Sequence, residues 1–141
     1  SKAYGLGGPR LGYGFAHHDL ISNLMKVKVP FEPSMPAQVA ACAALEDIDF
    51  LESTVKANKN SLQYLQNELS KMGILFLPSA ANFITTIWHS EDEAKRIVNR
   101  LMEAGIIVRD LKSFGWPNHI RISTGLEKEN KRLISQLKAI I

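Results

Sequence analysis

A chain of 141 residues is long enough for one ordinary domain with a hydrophobic core, and 45% of its residues are hydrophobic. The formal net charge is only +3, and lysines and arginines alternate with acidic residues along the chain, which indicates a solvated surface and gives no indication of a nucleic-acid partner. The single cysteine excludes an intramolecular disulfide, and no apolar run approaches the roughly 18 residues that a membrane span requires.

Residues 1–12 hold the most informative pattern, a lysine and an arginine on either side of a glycine-rich turn. The amine of Lys2 can form a Schiff base with an aldehyde, and the guanidinium of Arg10 can bind phosphate oxygens in a fork. Glycines lack a Cβ atom, so the backbone of the turn can approach a bound molecule closely. The pattern suits an aldehyde cofactor that carries a phosphate, although taken alone it is equally compatible with an ordinary turn and a surface lysine.

The next predicted elements are a short strand over 10–15, a helix over 17–25, an extended connector over 30–36 and an Ala-rich helix over 37–45. The adjacent His17 and His18 would point about 100° apart on a helix, so they cannot both face one metal ion, and no metal site is predicted. Cys42 lies among apolar residues and is expected to be a small buried residue of its helix. A lone cysteine fits a reducing, cytoplasmic location.

A long amphipathic helix is predicted over residues 45–72, because apolar residues recur there at a spacing of three and four. Gly73 is expected to end this helix. A coiled-coil seam for dimerisation is the alternative, but the polar interruption near Asn58 and the length of the helix favour packing on the sheet of its own domain. The apolar stripe consists of Leu45, Ile48, Leu51, Val55, Leu62, Leu65, Leu69 and Met72.

The C-terminal half is predicted to form strands over 74–77, 82–88, 106–109 and 119–123, with a helix before the third strand and another after the fourth. Ser90 with Glu93 and Thr124 with Glu127 are predicted to form the capping boxes that open these two helices, and Gly105 to close the first. The residues expected on their buried faces are Ala94, Ile97, Val98, Leu101 and Met102 in the first, and Leu126, Leu133, Ile134, Leu137 and Ile141 in the second. This order predicts an α/β sandwich, in which helices pack on one face of a small, largely antiparallel sheet.

Two arginines are candidates for a binding cleft. Alternation along the strand 119–123 sends Ile120 and Ile122 to the core and Arg121 to the opposite side. Arg109, at the end of the neighbouring predicted strand, can reach the same cleft. Two guanidinium forks are a good receptor for carboxylate or phosphate oxygens, whereas an ordinary exposed side chain is the commoner alternative for any single arginine.

The residues just described also resemble a known family. Residues 1–12 match every fixed position of the lysine motif of fold-type I pyridoxal-phosphate aminotransferases, Ser-Lys-x-x-Gly-Leu-x-Gly-x-Arg-x-Gly, with Pro9 replacing the usual aliphatic residue before the arginine. The runs 105–110, 114–115 and 118–125 look like the C-terminal signature of histidinol-phosphate aminotransferases, while Glu32 stands where close relatives often have asparagine.

The resemblance implies a role for each candidate residue. Lys2 would carry the internal aldimine of pyridoxal 5'-phosphate and move the proton between the substrate α-carbon and the cofactor. Ser1 and Arg10 would hold the cofactor phosphate. Arg121 would bind the substrate carboxylate or phosphate, and Arg109 would help to bind the phosphate.

The implied fold is the C-terminal segment of a PLP-dependent transferase (aspartate-aminotransferase-like) fold. Residues 1–44 would be a remnant of the large cofactor-binding domain, and residues 45–141 a small α/β domain. The implied reaction is amino transfer between glutamate and imidazole-acetol phosphate, giving 2-oxoglutarate and histidinol phosphate, in a homodimer. The remaining site residues would lie upstream, so we expect this segment alone to be inactive, with residues 1–45 disordered or paired with another copy.

Two other functions are compatible with parts of the sequence, and a third is disfavoured. An amino-acid-phosphate decarboxylase of the same superfamily would share Lys2, Arg10 and the arginine pair. A non-catalytic α/β binding module could retain the motifs without activity. Nucleotide binding is disfavoured, because residues 5–10 break the Gly-x-Gly-x-x-Gly spacing and no Gly-Lys-Ser/Thr occurs.

Overall fold

The computed structural model describes all 141 residues, which form five α-helices and one four-stranded antiparallel sheet. The elements are α1 (His18–Val27), α2 (Met35–Glu46), α3 (Ile48–Lys71), β1 (Leu75–Leu77), β2 (Phe83–Ile87), α4 (Glu91–Glu103), β3 (Arg109–Leu111), β4 (Trp116–Ser123) and α5 (Glu127–Ile140). None of the helices combines the length and the apolar character that crossing a membrane requires. The chain divides into two compact units, Ser1–Val55 and Lys56–Ile141.

The first unit consists of the N-terminal turn, α1, α2 and the first turns of α3. Ser34 caps α2 by accepting a hydrogen bond from the backbone N–H of Ala37, the only buried residue of that helix. The exposure of His17 and His18 agrees with the surface role expected for them. The predicted burial of Cys42 is wrong, because its side chain is exposed on a helix face that nothing covers.

The strand predicted over residues 10–15 is also wrong. These residues have no neighbouring strand, and an isolated extended segment cannot satisfy the hydrogen bonds that define a strand. Their aromatic side chains, Tyr13 and Phe15, are exposed, and the two ring centroids lie 5.5 Å apart.

The second unit is the predicted sandwich, with its strands in the order β1-β2-β4-β3 and every pair antiparallel. Residues 56–71 of α3, together with α4 and α5, cover one face of this sheet. The side chains that are almost fully buried between them include Leu65, Leu69, Ile84, Ile97, Leu101, Ile120 and Leu137. The alternation in β4 therefore has the predicted orientation, because Ile120 and Ile122 both lie in this core.

The helix predicted over 45–72 is confirmed as α3, but it begins at Ile48, because Leu45 still belongs to α2 and Asp47 separates the two helices. The carboxylate of Asp47 accepts a hydrogen bond from the backbone N–H of Phe50 at 3.0 Å, and the side chain thereby supports the first turn of α3. The end at Gly73 is confirmed by its left-handed φ of 70°, which a residue without a Cβ adopts readily. The apolar stripe is buried only in its second half, at Leu62, Leu65 and Leu69.

The two predicted capping boxes have opposite outcomes. Ser90 accepts from the N–H of Glu93 at 3.1 Å, and the Glu93 carboxylate accepts from the N–H of His89, so the start of α4 is confirmed. The box of Thr124 and Glu127 is wrong, because Leu126 precedes the helix and its N–H donates to the Glu129 carboxylate at 2.7 Å. The hydroxyl of Thr124 is engaged elsewhere.

The other differences concern the edges of the sheet and of its helices. The strand predicted over 106–109 begins only at Arg109, because the N–H of Ile106 donates to the carbonyl of Leu101 at 2.8 Å and completes the end of α4. Strand β4 is longer than the predicted 119–123 and starts at Trp116. The side chains predicted to be buried but found exposed at helix margins are Met102, Leu126 and Ile141.

An ion-pair cluster connects α3 with α5. The carboxylate of Glu68 in α3 accepts hydrogen bonds from Lys138 of α5 at 2.7 Å and from Lys71 at 2.6 Å, and only 13% of the Glu68 side chain is exposed. The hydrogen bonds from the two ammonium groups, first that of Lys138, lower the pKa of Glu68 from its ordinary 4.5 to about 2.

The Glu68 carboxylate is expected to make stability pH-dependent in a defined window. Because the pKa of Glu68 is lowered in the folded state, its stabilisation is present above pH 4.5 and is lost as the pH falls through about 2. Glu68→Gln should therefore unfold more easily than the unsubstituted protein at pH 7, and the difference should shrink over that range. Denaturant unfolding at several pH values measures it. Glu127→Gln, which removes an exposed pair within α5, is the control with a smaller expected effect, and a pH-independent difference for Glu68→Gln would contradict this account.

Candidate functional site

One row of residues crosses the sheet on the face opposite the helices. Leu77 of β1 lies opposite Thr85 of β2, Thr85 lies opposite Arg121 of β4, and Arg121 lies opposite Arg109 of β3. Residues directly opposite each other in antiparallel strands share a face, and their Cβ atoms lie about 5 Å apart. The sheet therefore brings the two predicted arginines together.

Arg121 lies in a cleft of about 620 Å³ on this face. Its guanidinium carbon is 5.1 Å from the centroid of the Phe83 ring, and it takes part in no ion pair. Its Nε atom is buried and has no hydrogen-bond partner. A buried guanidinium donor without a partner is rare in folded proteins, so this atom indicates a site for an acceptor group.

Arg109 is the more exposed member of the pair. Its guanidinium carbon lies 5.2 Å from the centroid of the Phe114 ring, and it too takes part in no ion pair. Two like charges directly opposite each other destabilise a sheet, and here no carboxylate compensates for them. A bound anion would remove this repulsion, and two guanidinium forks can bind a carboxylate or a phosphate.

The cleft also has an aromatic lining that the sequence did not reveal. Phe83, Phe114 and Trp116 contribute to its walls, together with the small residues Ser79 and Ala80. The aromatic rings provide flat apolar surfaces next to the arginines, and Trp116 in turn packs against His119 with ring centroids 5.0 Å apart. Strand alternation could have indicated Phe83 as a lining residue. Phe83 and Thr85 are two residues apart in β2, so both lie on the same face as Arg121.

The N-terminal turn holds the other three predicted site residues in the first unit. The carbonyl of Lys2 accepts from the N–H of Gly5, which has a left-handed φ of 67°. The guanidinium of Arg10 folds back over the turn and donates from Nη1 to the carbonyl of Gly7 at 2.8 Å. A Cβ added to Gly7 would lie 3.5 Å from the carbonyl oxygen of Ser1, so Ser1 and Arg10 both lie close to this glycine.

The chemistry of this turn fits a phosphorylated aldehyde. Arg10 has a φ of 56°, a left-handed conformation that is costly for a residue with a side chain and is found mostly where function or packing requires it. Only one of its five N–H donors is used by Gly7, and the amine of Lys2 takes part in no ion pair. The turn thus offers an amine, a hydroxyl and a guanidinium. No group of three or more His, Cys, Asp or Glu residues that could hold a metal ion is present.

Comparison with known proteins gives consistent matches. The model of the family "Aminotransferase class I and II" matches residues 1–137. The histidinol-phosphate aminotransferase of Campylobacter hominis is 43% identical over 141 residues, which are 100% of this chain and 38% of that protein. The chain thus spans well under half the length of such curated relatives.

Solved structures give a similar result. The crystal structure of histidinol-phosphate aminotransferase from Sinorhizobium meliloti in complex with pyridoxal-5'-phosphate has a TM-score of 0.91 and 34% identity, over 99% of this chain and 39% of that one. L-threonine-O-3-phosphate decarboxylase from Porphyromonas gingivalis has a TM-score of 0.77 and 21% identity, over 97% of this chain and 43% of that one, which shows a common fold alone.

Proposed function

This chain belongs to the aminotransferase class I and II family, and we propose that the whole protein transfers an amino group from glutamate to imidazole-acetol phosphate, giving 2-oxoglutarate and histidinol phosphate. The family predicted from the lysine motif is confirmed by the match over residues 1–137. The predicted fold class, a PLP-dependent transferase fold, and the predicted cofactor, pyridoxal phosphate, are confirmed by the likeness to the Sinorhizobium meliloti enzyme.

The observation that carries the proposed reaction is the unpaired arginine pair on one face of the sheet. Glutamate and histidinol phosphate differ in size and shape, but each has an anionic group distant from its reacting carbon. A planar guanidinium can accept either a carboxylate or a phosphate in the same geometry. The aromatic walls of the cleft favour the flat imidazole ring of the larger substrate.

We assign the residues of the N-terminal turn to the cofactor. The hydroxyl of Ser1 and the guanidinium of Arg10 would hold its phosphate, and the amine of Lys2 would bind its aldehyde carbon. When bound, the cofactor supplies an electron sink for the substrate α-carbon. With substrate bound, the amine of Lys2 would serve as the base that takes the proton from that carbon and as the acid that gives it back in the next step.

The proposal extends to organisation. Residues 1–44 belong to a large cofactor-binding domain and residues 45–141 to a small α/β domain. The whole protein is a homodimer, which sedimentation analysis of the whole protein would test. The exposed apolar side chains of α1 support a buried position for this helix in the whole protein: Leu20, Ile21, Leu24, Met25 and Val27.

A decarboxylase acting on an amino-acid phosphate is the second candidate. It is supported by the common fold with L-threonine-O-3-phosphate decarboxylase and by the same need for an amine and for anion-binding arginines. The two functions differ in what leaves the substrate α-carbon, a proton in amino transfer and carbon dioxide in decarboxylation.

The deciding experiment supplies the whole protein, loaded with pyridoxal phosphate, with histidinol phosphate and 2-oxoglutarate in one reaction and with an amino-acid phosphate alone in a second. We expect glutamate to form in proportion to the histidinol phosphate consumed, with no release of carbon dioxide. Release of carbon dioxide from an amino-acid phosphate without formation of glutamate would favour the decarboxylase. If neither glutamate nor carbon dioxide forms under any of these conditions, the proposed function has no support.

A further inference from the structure

Asn58 breaks the apolar stripe of α3 but stays on its face. It follows Val55 by three residues and precedes Leu62 by four, the spacing that aligns side chains along one side of a helix. The residue is half-buried at the end of the sandwich nearest the turn that joins β1 to β2. A polar side chain at such a position needs partners for its donor and acceptor.

The amide of Asn58 joins two segments that are distant in sequence. Its Nδ2 donates to the carbonyl of Ala81 at 3.0 Å, and its Oδ1 accepts from the hydroxyl of Thr124 at 2.9 Å. The hydroxyl of Thr124 also lies 3.1 Å from the carbonyl of Asn82, but that carbonyl already accepts the N–H of Thr124 at 3.0 Å. A hydroxyl has one proton to donate. We therefore assign the proton of Thr124 to the Oδ1 atom of Asn58, whereas the carbonyl of Asn82 already has a donor.

These bonds fix the turn 78–82, which forms one rim of the Arg121 cleft. Within the turn, the hydroxyl of Ser79 accepts from the N–H of Ala81 and donates to the carbonyl of Phe83 at 2.6 Å. The turn is therefore stiff internally, and Asn58 and Thr124 anchor it to the rest of the unit. The bond from Ser79 is accepted by the backbone carbonyl of Phe83, and the guanidinium of Arg121 lies over the ring of the same residue.

Arg121 has no ion pair, and its Nε has no partner, so aromatic packing is the contact that sets the direction of its guanidinium. We propose that Asn58 and Thr124 are positioning residues for anion binding, which hold the turn 78–82 and hence Phe83 so that Arg121 is oriented before the anion arrives. This inference rests on the proposed function. Neither residue is expected to touch the substrate.

The expected effect is a loss of anion affinity without loss of the site. Asn58→Ala, which removes two hydrogen bonds, and Thr124→Val, which removes one, should each raise the dissociation constant of inorganic phosphate about three- to tenfold, because the site is then less preorganised. The double variant should bind phosphate about as weakly as Asn58→Ala alone, because the hydroxyl of Thr124 acts on the turn through its bond to Asn58. Thr124→Ser keeps the hydroxyl and should restore the affinity to within about twofold of the original.

The test is calorimetric titration of inorganic phosphate into the whole protein loaded with pyridoxal phosphate, so that the cofactor's own phosphate site is filled. Asn60→Ala is the matched control, because Asn60 is exposed and lies about 200° from Asn58 around the same helix. Loss of folded protein would lower the binding stoichiometry, whereas loss of positioning changes the dissociation constant. Steady-state kinetics should show KM for histidinol phosphate raised by a similar factor and kcat within about twofold.

Arg121→Gln separates this inference from the proposed function. If Arg121→Gln abolishes phosphate binding while Asn58→Ala and Thr124→Val leave the dissociation constant unchanged, the positioning role is wrong and the proposed anion site stands. If phosphate binding survives Arg121→Gln unchanged, the proposed anion site is itself wrong, and the inference fails with it. A strictly additive double variant would also overturn the inference, because it would show that the two side chains act independently.

Discussion

Lys2→Ala in the whole protein is expected to lower kcat for amino transfer by at least about a thousandfold, because one side chain is asked both to hold the cofactor and to move the proton. Alanine has no amine, and no other side chain of the N-terminal turn can take over either task. The rest of the turn should be preserved, since the bonds from Gly5 to Lys2 and from Arg10 to Gly7 use backbone carbonyls. Cofactor should still bind through its phosphate, more weakly.

Borohydride reduction followed by peptide mapping measures the same assignment directly. Reduction should fix the cofactor on Lys2 and on no other lysine. Lys28→Ala, which removes another exposed lysine of the same unit, is the control and should retain full activity. Cofactor fixed on a different lysine, or a Lys2→Ala variant with near-normal kcat, would sink the assignment.

The elements that the sequence predicted well carry their determinants locally. Ser90 and Glu93 form the capping bonds that start α4, and Gly73 and Gly105 adopt the left-handed φ that ends a helix. Alternation in β4 placed Ile120 and Ile122 in the core, which in turn placed Arg121 on the other face. Each of these features depends on residues a few positions apart in the sequence, so a local pattern is sufficient to predict it.

The errors arise where the outcome depends on the partner that a residue meets, or on whether it meets one at all. Thr124 fits a helix cap by its spacing, but its hydroxyl binds Asn58, 66 residues away. Residues 106–108 have a strand-like composition, but the end of α4 uses the N–H of Ile106. Cys42 has the composition of a buried position, but no element of its unit covers it. Periodicity describes a face without specifying what packs on it.

The sequence predicted the charged residues of the candidate site but not the aromatic residues that surround them. Arg109 and Arg121 were identified from alternation and from the family signature, and the register of β3 and β4 makes them direct neighbours. The aromatic walls formed by Phe83, Phe114 and Trp116 come from three separate segments, and only folding brings them together. The bonds of Asn58 are of the same kind, because the sequence marked it only as an interruption of a stripe.

The two arginines are expected to differ in what they bind. Arg121→Ala should weaken both half-reactions, because the half-buried guanidinium of Arg121 lies in the cleft and would receive either the carboxylate of glutamate or the phosphate of histidinol phosphate. Arg109→Ala should impair the histidinol-phosphate half-reaction and largely spare that of glutamate. Arg109 is exposed beside the cleft, and a phosphate has more oxygens than one fork can bind.

Removing a charge-assisted contact in a partly desolvated site costs about 1.5 to 3 kcal/mol, hence a roughly ten- to hundredfold fall in kcat/KM for the affected half-reaction. Single-turnover measurement of each half-reaction, followed at the cofactor absorbance, separates the two roles. Arg100→Ala is the matched control, because Arg100 is an exposed arginine of α4 that pairs only with Glu103. A small and equal loss for Arg109→Ala and Arg121→Ala with both substrates would mean that the pair does not bind the substrate anions, and the proposed substrate would lose its main support. A large loss confined to the phosphate substrate in Arg109→Ala would instead indicate that the second guanidinium gives the site its preference for a phosphorylated amino donor.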